Sequence, residues 1–122
     1  MNSSKAVAAI LLLLASLAAV GANTPKNMGV GQTRNITFVG PVKVGGAVLP
    51  AGNYRVEHVM EGENHVMVFE NLGKKEAAAR VNCQMIELQN KAAESSQEYE
   101  TQDGAKVLKA LTFRGDTYKH QF

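Results

Sequence analysis

Residues 53–70 read NYRVEHVM, EGEN, HVMVFE, and this stretch decides the fold class. In the first part Tyr54 and Val56 point to one side and Arg55 and Glu57 to the other, the period-two pattern of a half-buried strand. The last part is apolar almost throughout, as a more central strand would be. Glu61-Gly62-Glu63-Asn64 between them predicts a four-residue hairpin link.

The same grammar extends outward. Turn signals recur at Gly40-Pro41, Gly45-Gly46, Pro50 to Asn53, Asn71 to Gly73, Asp103-Gly104 and Gly115-Asp116. Such spacing leaves room for strands and little for ordinary helices. Residues 35–39 alternate with Ile36 and Phe38 on one face, and Val42 and Val44 flank Lys43. Residues 107–113 place Val107, Leu111 and Phe113 on one face, with Lys109 out of pattern. Residues 117–122 group Tyr118, His120 and Phe122, with His120 expected at a core edge. Residues 97–102 read as a solvent-facing strand centred on Tyr99.

Residues 74–94 admit two readings. Val81, Met85, Leu88 and Ala92 form one helical stripe among strong helix formers. With period two, Ala79, Val81, Cys83 and Met85 form a strand face, and a bulge near Met85-Ile86 would turn Ile86 and Leu88 inward. The need of neighbouring segments for a partner favours strand. The expectation is an all-β domain over residues 33–122, a single antiparallel sandwich or small open barrel of about seven or eight strands.

The chain has 122 residues and a formal charge of +2. Its start, one lysine followed by the apolar run AVAAILLLLASLAAV at residues 6–20, has the layout of a signal-peptide helix. Cleavage is expected after Ala22, leaving about 100 residues, one domain's worth. Lys5 leaves with the signal, so the net charge falls to about +1, and the apolar fraction drops from 45% to about 39%. The location implied is secreted or periplasmic, with a flexible lead-in over residues 23–32 and no stable membrane anchor after cleavage. So small a net charge gives no electrostatic case for nucleic acid. One cysteine, Cys83, excludes an internal disulfide.

Residues 40–56, GPVKVGGAVLPAGNYRV, resemble a pattern in a family of small secreted bacterial proteins, P-V-x-V-G-G-x-x-L-P-A-G-x-Y-x-V. That family is uncharacterised as to activity. The resemblance implies a β-rich envelope or secreted domain and favours strand for residues 77–88. Physically the motif is a scaffold. Pro41 opens it, Gly45 and Gly46 supply positive φ for a hairpin, and Pro50 with Gly52 suits a type II turn that sends Tyr54 into the core.

Candidate chemistry is sparse. His58 and His65 can face one another across the 61–64 hairpin and are the candidate metal ligands, but no H-x-H or H-x-x-x-H spacing accompanies them. Cys83 has Asn82 and Gln84 beside it and no activating charge, so it reads as a buried thiol. Its pairing with another chain requires exposure. Glu57, Glu61 and Glu63 cluster round one hairpin without calcium-loop spacing. Arg114-Gly115-Asp116 reads as a turn, and Asn35-Ile36-Thr37 is a glycosylation sequon. Gly29-Val30-Gly31 lacks the strand and lysine of a nucleotide loop. Tyr99 is the one aromatic placed for surface binding.

The expectation is therefore a non-enzymatic binding or structural module without a cofactor. Its partner would be a protein or envelope component, and its oligomeric state is open. The alternatives are a carrier of a small apolar ligand in a cavity lined by Ile36, Val56, Phe69 and Phe113, then a metal-binding protein or small hydrolase.

Overall fold

The computed structural model describes residues 27–122. The expected signal peptide, its cleavage after Ala22, and residues 23–26 of the lead-in lie outside the described residues. Ten strands follow: β1 (Thr33–Phe38), β2 (Val42–Val44), β3 (Ala47–Leu49), β4 (Gly52–Glu61), β5 (Asn64–Asn71), β6 (Glu76–Asn82), β7 (Gln84–Glu87), β8 (Ser96–Gln102), β9 (Ala105–Thr112) and β10 (Tyr118–Gln121). They form two sheets and no closed barrel, a small β-sandwich. The strand number exceeds seven or eight because β3 stands as its own strand and residues 76–87 split in two.

One sheet has the order β1-β4-β5-β6, all antiparallel. In the other, β8 covers one side of β9 along its length. On the opposite side of β9, β10 pairs residues 110–112 and β2 pairs Val107 in parallel. β7 then extends β10, and β3 extends β2. β1, β6 and β8 are therefore sheet edges.

The alternation in residues 53–60 holds as read: Tyr54, Val56 and His58 are buried, and Arg55 and Glu57 exposed. Four other readings are refined. The 61–64 link is tighter than four residues, since Glu61 pairs Asn64 around Gly62-Glu63 and only Gly62 takes positive φ. Residues 76–87 are strand, and their change of face is not a bulge at Met85. The chain leaves one sheet after Asn82 and enters the other at Gln84, with Cys83 as the link.

Lys109 is out of pattern because it is an extra residue. Glu98 pairs Ala110 and Tyr99 pairs Leu108, so Leu108, not Val107, joins Leu111 and Phe113 in the core. Finally, residues 27–32 are pinned. Met28 is fully buried, and Gly31 N–H donates to the His58 carbonyl.

The turn motif behaves as a scaffold. Pro41 lies exposed between β1 and β2. Tyr54 is buried and its hydroxyl donates to the Pro50 carbonyl at 2.8 Å, clasping the turn that leads into β4. Gly52 has φ +147 and already pairs Phe38, so it belongs to the strand rather than to a type II turn centre. Asp103 and Gly104 both take positive φ, as a two-residue type I′ hairpin requires.

Between β2 and β3 only Gly45 takes positive φ, and a Cβ there would meet Val81 at 3.2 Å. Gly46 has open space and no positive φ. Gly45→Ala should therefore cost about 1 kcal/mol or more, while Gly46→Ala stays within about 0.5 kcal/mol of the parent. Denaturant midpoints of the two variants decide this; equal midpoints would contradict the assignment.

Candidate functional site

Two places bring polar chemistry together: a buried histidine cluster and an open cleft.

The cluster forms where β4, β5 and β10 meet. His58 faces inward from β4 in the same phase as Tyr54 and Val56. Its register partner is Met67, so His65, two residues earlier on β5, is its diagonal neighbour on the same face. His58 Nε2 and His65 Nδ1 are 2.8 Å apart. His58 Nδ1 lies 3.2 Å from the Met28 carbonyl oxygen. A carbonyl only accepts, so His58 Nδ1 carries the proton. In the neutral ring Nε2 is then the acceptor, and His65 Nδ1 donates to it.

The third ring, His120, packs edge-on to His58 with centroids 5.2 Å apart. It was expected at a core edge and is instead wholly buried. Neither of its ring nitrogens has a hydrogen-bond partner among the described residues. Burial lowers its pKa from 6.5 to about 4, helped by repulsion from His58, His65 and Arg34.

Asp116 is also wholly buried. Its Oδ2 accepts from Met28 N–H, and its Oδ1 lies 3.9 Å from the Arg34 guanidinium. Burial pushes its carboxyl above the usual range, opposed by the Met28 hydrogen bond and then by Arg34.

The structure thus unites the two candidate metal ligands, His58 and His65, and adds His120, which sequence spacing left apart. Among the described residues no three His, Cys, Asp or Glu side chains converge as a metal would require. Cys83 is buried, and its N–H donates to the His65 carbonyl. Desolvation pushes its thiol up to about 11, far from the depressed value of a nucleophilic cysteine.

Of the acidic trio, Glu61 pairs with Arg80 across the edge of the sheet, and Glu57 and Glu63 are exposed. Gly115 of the Arg114–Asp116 turn takes positive φ, as read.

The cleft opens between the edge strands β1 and β8 of the two sheets and has a volume of about 720 Å³. Ile36, Leu111 and Phe113 form its apolar lining. Asn35, Thr37, Asn53, Ser95, Ser96 and Gln97 contribute amides and hydroxyls. None of its lining residues is charged. The Gln97 amide donates to the Thr37 carbonyl at 2.9 Å, a strut from one sheet edge to the other.

Tyr99, the residue singled out for surface binding, does line the cleft. It is half-buried rather than open. Its hydroxyl bonds Gln97, and the Lys106 ammonium lies 4.4 Å from its ring centroid. Phe113 belongs to both places, since its ring centroid is 6.2 Å from that of His120.

Sequence reasoning missed the cleft because its lining comes from five separate segments. The polar run Ser95-Ser96-Gln97 was the one local signal. No family model, curated protein or solved structure matches this chain.

The His120 shift sets a pH dependence. Between about 6.5 and about 4 the unfolded chain holds a proton that folded His120 refuses. The stability its neutral ring contributes is complete above pH 6.5 and is lost as pH falls toward 4, about 3 kcal/mol in all. Asp116 carries the opposite sign, because its buried carboxylate is relieved by protonation. Denaturant unfolding at pH 7.5, 6, 5 and 4 should show an acid decline that His120→Phe flattens. A His120→Phe curve with the full acid slope would place the titrating group elsewhere.

Proposed function

We propose that the protein is a small secreted or periplasmic binding module without catalytic activity, acting through the cleft between β1 and β8. One observation carries this reading. Two sheet edges lie side by side around a cleft with an apolar lining and uncharged hydrogen-bonding groups, the composition of a binding site. The residues weighed for catalysis lie elsewhere. Cys83 is buried with a raised pKa, and His58 and His120 are wholly buried.

A partner suited to this cleft is uncharged where it enters and offers both polar groups and an apolar side. A protein segment or another envelope component fits that description. The second reading is a carrier of a small apolar ligand. Ile36 and Phe113 favour it, since both line the cleft, whereas Val56 and Phe69 are packed into the core.

Ser96→Arg places charge and bulk in the cleft from an exposed position on β8. With a partner isolated from the native envelope, it should weaken binding at least tenfold and leave the denaturant midpoint within about 0.5 kcal/mol of the parent. Unchanged affinity would remove the cleft from the binding surface.

A further inference from the structure

Successive residues of a strand turn their main-chain groups to opposite sides, and β1 has a strand on one side only. Two bonds fix which residues face which way. His58 N–H donates to the Gln32 carbonyl, just before β1. The Asn53 carbonyl, opposite Thr37, is turned away from β1 and accepts from Leu72 N–H. Arg34, Ile36 and Phe38 therefore present N–H and C=O to β4. Thr33, Asn35 and Thr37 present theirs outward, where no strand pairs among the described residues.

Side chains cover two of the three outward carbonyls. Thr33's accepts from the Arg34 guanidinium at 2.9 Å, and Thr37's accepts from the Gln97 amide at 2.9 Å. Gln97 is steadied by the Tyr99 hydroxyl. This edge is a wall of the cleft. Asn35 and Thr37 on the outer face and Ile36 on the inner face all line it, so the backbone between them borders it too.

We propose that the cleft takes its ligand as an added strand: an uncharged, extended polypeptide segment pairs with the outward edge of β1 at residues 33–37 and displaces the Gln97 amide from Thr37. The inference rests on the cleft being the binding site and names what enters it. A row of outward N–H and C=O groups matches a second main chain group for group. The lining matches the alternation of a strand. Every second side chain of the segment meets Ile36, Leu111 and Phe113, and the others lie over Thr37 and Asn53. No charged residue lines the cleft, so a charge carried into it has no partner.

Gln97 already makes the bond that a ligand N–H would make. Its primary amide offers Thr37 the same donor as a peptide group, on a half-buried side chain that can swing aside. Arg34 can release Thr33 and keep its contacts with Asp116 and Phe113. The far edge of the same sheet is blunted. On β6, Ala79 pairs Phe69 and Ala77 pairs Glu70, so Ala78 is an extra residue that breaks the ladder.

The test uses the purified protein and a synthetic pool of end-capped nine-residue peptides in which Val, Ile, Leu or Phe alternates with Ser, Thr or Asn. Retained peptides should raise the protection of the Asn35 and Thr37 amides from hydrogen exchange at least tenfold. N-methylation of alternate peptide nitrogens should weaken binding at least tenfold in one phase and much less in the other. Gln97→Ala should tighten binding at least threefold, because the strut no longer competes. The proposal is overturned if neither the parent nor Gln97→Ala retains a peptide, if both N-methylated phases weaken equally, or if Gln97→Ala binds no more tightly. Binding that Ser96→Arg abolishes, yet that protects neither amide, overturns strand addition and keeps the cleft as the site. The same holds if toluene shifts the Ile36 and Phe113 resonances where no peptide binds. Binding that protects neither amide and ignores Ser96→Arg removes the cleft as well. A dimer that protects both amides without peptide gives the edge to a second copy and also overturns the proposal.

Discussion

Phe69 is wholly buried on β5, and its ring has neighbours from both sheets. Phe38 of β1 stacks beside it at 6.5 Å, and Tyr54 of β4 tilts against Phe38 at 5.2 Å. Phe122, which follows β10 in the other sheet, lies 5.8 Å away. This run of rings fastens one sheet to the other in a chain whose single cysteine cannot form an internal cross-link. Small domains of this size live on a narrow margin of buried apolar area. Strand register, turn geometry and the burial of Tyr54 all serve to hold these rings in place.

The polar groups of the interior lie apart from those rings. His58, His65, His120 and Asp116 replace hydrocarbon with imidazole and carboxylate, and three of their buried atoms have no hydrogen bond among the described residues. Such groups cost stability that an apolar side chain would not. Phe113 packs beside this polar layer and also lines the cleft, so it joins the two.

Local patterns in the sequence revealed local structure. Alternation in residues 53–60 identified which side chains of β4 are buried, and the misfit of Lys109 marked the place where an extra residue shifts the phase of β9. Residues 76–87 resisted because β6 is an edge strand, half-exposed on both faces and rich in alanine, so neither period dominates. Met28 was invisible because a segment with glycines and no strand has no periodicity to betray a buried side chain. The histidine cluster was half legible. His58 and His65 share a hairpin, whereas His120 joins them from the other sheet. The cleft has no sequence signature for the same reason, since sheet packing alone assembles it.

The pairing of β2 with β9 links residues 43 and 107. β4, β5 and β6 follow one another as hairpins and can assemble as soon as they exist. In the other sheet β8, β9 and β10 also follow one another, but its remaining strands must wait for them. β7 finds its partner only in β10, and the β2–β3 hairpin joins its sheet only through β9. Closing so long a loop is slow compared with hairpin formation. Folding therefore has a natural last step. Until roughly the final twenty residues are in place, the chain is half a sandwich with its aromatic face uncovered, and the C-terminal hairpin is what completes it.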